Sequence, residues 1–128
     1  MKVTNRAIST LLSLVTMVSM TSMVATAANT SDTAWLGGNE YCRYKADDSS
    51  VYVMNTSMLY GTYVTVYGEY SATGNEKHDI GGGVTYVPPN SVCYITQYCY
   101  EWGYPYLHIC FSVIDNRPAG GWWSPDSV

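Results

Sequence analysis

The stretch VTYVPPNSVCYITQYCYEWGYPYLHICFSV, Val84 to Val113, holds three of the four cysteines and the densest run of aromatic and β-branched residues in the chain. Tyr, Val, Ile and Thr suit a pleated, half-buried surface, whereas Pro88-Pro89-Asn90 and Gly103-Tyr104-Pro105 are turn chemistry. Leu107, Ile109, Phe111 and Val113 alternate with Tyr106, His108, Cys110 and Ser112, which is the period of a strand with one buried face. From Ser91 to Tyr100, Cys93, Ile95 and Cys99 share a face opposite Val92, Tyr94, Tyr98 and Tyr100, the pattern of a central strand covered on both sides. The two arms predict a hairpin around Glu101 to Pro105.

Outward from that stretch the chain keeps the same character. Tyr41 to Lys45 and Val51 to Met54 read as strands. Tyr63 to Tyr70 is a third, with Val64, Val66 and Gly68 facing the core and Tyr63, Thr65, Tyr67 and Glu69 on the other side. Ser71 to Gly83 is polar and glycine-rich and reads as a hairpin loop, and the prolines after Val87 place the end of Val84 to Val87 at a sheet edge. Trp122-Trp123 near the end of the chain predicts a tail that docks as a last strand. No window after residue 27 holds a 3.6-residue period without a Gly, Pro or β-branched interruption. The expected fold is therefore all-β: a single small antiparallel β-sandwich of about six to eight strands, disulfide-tied.

The first residues carry Lys2 and Arg6, an apolar run from Ala7 to Val24, and small residues at Ala25-Thr26-Ala27, the layout of a secretory signal peptide. Cleavage after Ala27 leaves residues 28–128 as one domain, ordered from about Trp35, in a secreted, extracellular protein. That part keeps Arg43, Lys45, Lys77 and Arg117 against ten carboxylates, a net charge of −6. Such a balance argues against nucleic acid and anionic membrane surfaces as partners, since both need clustered Lys and Arg. Four cysteines in a small exported chain predict two disulfides. Cys93 and Cys99, roughly 20 Å apart if one strand holds both, are not expected to pair with each other, which leaves Cys42 and Cys110 to take one each. The spacing of Cys42, Cys93, Cys99 and Cys110 is not that of a zinc ribbon, so neither metal nor other cofactor is expected.

The Val-Tyr-Val segment after a polar Asp/Ser loop, the Tyr-x-Ile segment followed by Glu101-Trp102-Gly103, and the ending Trp123-Ser124-Pro125-Asp126-Ser127 together resemble small secreted proteins of Gram-positive bacteria with no assigned function. The resemblance spans about residues 41 to 127 and implies a secreted all-β protein; it carries no active site.

No catalytic motif stands out, and a non-enzymatic protein is expected. His78 lies beside Asp79 in the glycine-rich loop, and His108 reads as an exposed or hydrogen-bonded sheet residue among Tyr98, Tyr100 and Tyr106. Nothing in the spacing selects a carboxylate pair from Glu69, Glu101 and Asp115. Asp47-Asp48 and the group of Asp115, Asn116 and Asp126 read as solvated turns. The aromatics exceed expectation: thirteen Tyr and four Trp against one Phe favour rings that are both packed and wet. The expected function is binding of an extracellular glycan or protein through Tyr100, Trp102 and Tyr104 at a turn and Trp122 and Trp123 in the tail. A secreted antagonistic peptide or toxin acting on neighbouring cells through a receptor is the alternative.

Overall fold

The computed structural model describes residues 30–73 and 76–127. The expected signal peptide at residues 1–27 lies outside them. Among the described residues eight strands run in order: β1 Thr33–Leu36, β2 Glu40–Tyr44, β3 Val51–Asn55, β4 Thr62–Glu69, β5 His78–Val87, β6 Ser91–Ile95, β7 Tyr106–Phe111 and β8 Gly120–Ser124. There is no helix among the described residues. The strands form two antiparallel four-stranded sheets, ordered β1-β8-β3-β6 and β2-β7-β4-β5.

One apolar core is shared by both sheets. Trp35, Val51, Val53, Ile95 and Trp123 come from the first, and Val64, Val66, Ile80, Val87, Leu107, Ile109 and Phe111 from the second. Trp35 and Phe111 stack across the interface with ring centroids 4.2 Å apart. The Trp35 indole N–H, half inside this layer, donates to the carbonyls of Met54 and Trp122. The alternation expected in β4 and β7 is present: Val64, Val66, Leu107, Ile109 and Phe111 point inward. The tail docks as expected, with β8 inserted between β1 and β3. Gly121 is required there, because a Cβ would collide with the Met54 carbonyl oxygen of the neighbouring strand.

Three expectations about connectivity are corrected. The segment Ser91 to Val113 is not a hairpin: β6 pairs with β3 in one sheet and β7 lies between β2 and β4 in the other, so residues 96–105 cross from sheet to sheet. For the same reason β6 is an edge strand rather than a central one. The glycine-rich stretch is not all loop, since β5 begins at His78. Its register against β4 shifts between Thr65 and Tyr67, where Gly81 and Gly83 take positive φ angles of 79° and 60° that a side chain would resist.

The two expected disulfides are also absent: Cys42, Cys93, Cys99 and Cys110 are free thiols. Register explains why. Cys42 and Cys110 lie on the outer face of the β2-β7-β4-β5 sheet, opposite His108 and Glu40 respectively, while Cys99 is buried in the core on the other side of that sheet. Cys93 belongs to the other sheet, opposite Val53.

The ending Ser124-Pro125-Asp126 closes one end of the core. Asp126 and Lys45, both with fully buried side chains, form an ion pair, and Asp126 also accepts the Ala46 backbone N–H at 2.9 Å. Ser124 Oγ donates to the Asp126 carbonyl at 2.8 Å. Asp126 is thus an internal tie between the chain after β2 and the chain after β8, which corrects its reading as part of a solvated turn.

Candidate functional site

The outer faces of the two sheets carry different side chains. On the β1-β8-β3-β6 sheet the register lines up Ala34, Trp122, Met54 and Val92 in one row across all four strands. The next row places Tyr52 between Ser124 and Tyr94. Strand alternation produces this face: Val51, Val53 and Trp123 fill the core, so Tyr52, Met54 and Trp122 must point out. Tyr94 is 62% exposed and Trp122 46%. The Tyr52 and Tyr94 rings lie 5.6 Å apart at 58°, and they line a cleft of about 190 Å³ with Thr30, Asp32, Ser124 and Ser127. No Lys or Arg lines this cleft.

The aromatic residues expected to bind are not gathered in one place. Trp102 and Tyr100 are exposed on the 96–105 crossover, where Trp102 stacks on Tyr98 at 5.4 Å and 22°. Tyr104 is half-buried against the core and stacks on His78. Trp122 lies on the open face just described. Trp123 is fully buried beneath the Arg43 guanidinium, so it holds the fold and faces no ligand.

The outer face of the β2-β7-β4-β5 sheet combines exposed tyrosines, Tyr44, Tyr63 and Tyr86, with a cluster of ionisable groups. His108 of β7 is flanked by β2 and β4: its Nε2 meets Glu40 Oε1 at 2.6 Å, and its Nδ1 is hydrogen-bonded to Glu69 Oε2. Glu40 also pairs with Lys77 at 3.2 Å, and the Lys77 ammonium lies over the Tyr67 ring. Hydrogen bonds from His108 and then from Lys77 hold the Glu40 carboxyl below the usual carboxylate range. Glu69 is 1% exposed, and its second oxygen, Oε1, is buried with no hydrogen-bond partner. Burial pushes the Cys42 thiol up to about 11, helped by the charge of Glu69, and Cys110 up to about 11, helped by Glu40. The side-chain donor atoms of Cys42, Glu69 and His108 lie within 4.8 Å of one another, as do those of Glu40, His108 and Cys110.

Sequence reasoning missed this second cluster, along with Tyr52, Tyr94 and Asp32. His108 was legible as a residue on the outer side of its strand, but Glu69 and Glu40 stand 39 and 68 residues away from it. The parity of Cys42, Glu69 and His108 in their strands was the available signal.

A family model matches residues 22–127. The chain belongs to the DUF2712 family. That family is described as protein of unknown function. No curated protein matches the chain, and no solved structure does.

Proposed function

We propose that this DUF2712 chain is an exported, non-catalytic module that binds a neutral glycan outside the cell, with the Tyr52 and Tyr94 cleft and the adjoining Trp122 row as its binding face. The observation that carries the reading is the open aromatic face of the β1-β8-β3-β6 sheet, in which two tyrosines border a cleft that also holds Asp32 and Thr30. A pyranose offers apolar C–H faces and a rim of hydroxyls. Aromatic faces take up the first, and a carboxylate and hydroxyl beside them accept and donate to the second. The net negative charge and the lack of Lys and Arg at the cleft favour a neutral ligand, since such a surface repels polyanions.

The test is an array of neutral glycans followed by calorimetry on any glycan retained. Binding is expected to weaken by about tenfold or more, about 1.4 kcal/mol, in Tyr94→Ala with the circular dichroism spectrum unchanged. Loss in Trp102→Ala with Tyr94→Ala unaffected moves the site to the crossover tip. Failure of the wild type to retain any glycan removes the proposal.

A further inference from the structure

We infer that the outer face of the β2-β7-β4-β5 sheet holds a site for one divalent transition metal ion of the zinc class, bound by Cys42, Glu69 and His108 Nδ1. The three residues come from β2, β4 and β7, the central strand β7 lying between the other two, so a register already fixed by the core brings them together. Their donor atoms lie within 4.8 Å of one another before any ion is added. A thiolate, an imidazole and a carboxylate make a mixed S, N, O set that suits zinc and disfavours calcium and magnesium, which take oxygen ligands.

The second observation is the orphan oxygen. Buried carboxylate oxygens nearly always have a partner, and Glu69 Oε1 has none in a residue that is 1% exposed. An ion bound to the Glu69 carboxylate supplies that partner. The alternative group of Glu40, His108 and Cys110 lacks this feature: Glu40 is exposed and already paired with Lys77. Glu40 instead accepts a hydrogen bond from Nε2, which holds the imidazole with Nδ1 turned to the metal, the usual role of an outer carboxylate behind a ligating histidine.

Charge balances at this position. The ion displaces the thiol hydrogen of Cys42 and the hydrogen shared between Nδ1 and Glu69. Both leave to solvent as protons, and a divalent cation with one thiolate, one carboxylate and a neutral imidazole is neutral overall. Three protein ligands leave a fourth tetrahedral position for water or for a donor from a partner molecule.

The test is a Co(II) titration of the full chain, purified under reducing conditions and treated with a chelator. One equivalent is expected to bind with the visible bands of tetrahedral cobalt and a thiolate-to-cobalt charge-transfer band in the near ultraviolet, and Zn(II) is expected to displace it. Cys42→Ser should abolish the charge-transfer band and weaken binding by 100-fold or more, as should His108→Gln, while Cys110→Ser keeps both signals. Glu69→Gln, which keeps the buried shape, should weaken binding by about 10- to 100-fold. The inference is overturned if the wild type takes up no cobalt, if Cys42→Ser binds as well as wild type, or if Cys110→Ser alone removes the band. A Cys42 to Cys110 disulfide in protein recovered from its own host overturns it as well.

Discussion

The two outer faces rest on the same core and both carry tyrosines, but they differ in charge. One carries Tyr52, Met54, Val92, Tyr94 and Trp122 with no Lys or Arg at its cleft; on the other, Tyr44, Tyr63, Tyr67 and Tyr86 share the face with Glu40, Cys42, Glu69, His108 and Cys110. Inward positions on both sheets are filled mainly by Val, Ile, Leu, Phe and Trp, because packing decides them. Outward positions have no such requirement, so a buried glutamate on one face and an exposed tryptophan on the other are the places where composition reports something other than folding.

The first way to break the comparison is to remove what the faces share. Trp123→Ala opens a large cavity in the core and is expected to cost about 4–5 kcal/mol, most of the stability of a domain this size, measured by denaturant unfolding. Both faces should be lost in the same transition. Lys45→Ala strands the buried Asp126 carboxylate that ties the chain after β2 to the chain after β8, and about 3–4 kcal/mol is expected from the same measurement.

The next changes should separate the faces. Glu69→Gln weakens its hydrogen bond to His108 and should cost about 1–2 kcal/mol in metal-free protein, with glycan binding unchanged. The thiols sharpen the difference through pH. In reduced, metal-free protein at pH 8, Cys42 and Cys110, raised to about 11, are expected to alkylate about 100-fold more slowly than an exposed thiol, and Cys99, pushed by burial up to about 12, about 1000-fold more slowly. Their folded values are raised, so the unfolded chain loses its thiol protons first, and stability should fall as pH rises from about 9 toward 11. In acid the sign reverses for Glu40: its lowered value adds stability above the unfolded carboxylate range that is lost as pH falls through the folded value. The smallest expected effect is on the aromatic face, where Tyr94→Ala should change stability by no more than about 0.5 kcal/mol while reducing glycan affinity.

Much of the fold was legible in individual strands. Leu107, Ile109 and Phe111 announce an inward face by their spacing, and Val64 and Val66 do the same, because period-2 alternation is a local property. Pairing is not local. Pro88-Pro89-Asn90 and Gly103-Tyr104-Pro105 show that the chain turns but not into which sheet it goes, and so a crossover between sheets reads like a hairpin. The cysteines misled for a similar reason: composition argues for bridges, while register puts Cys99 inside and Cys42 outside the same sheet. At the candidate sites, Trp122 was legible because a tryptophan near a chain end is conspicuous. The meeting of Cys42, Glu69 and His108 depends on three strands aligning and has no sequence-local signature.

The insertion of β8 between β1 and β3 sets an order of events during synthesis. Among the described residues β1 pairs only with β8, so this strand waits through the synthesis of more than eighty residues for that partner. Among its described strands, only β3 and β6 of the first sheet can pair with each other before Gly120 to Ser124 appear. Such non-local pairing is of the kind that slows folding, so completion of the first sheet is expected to be a late step.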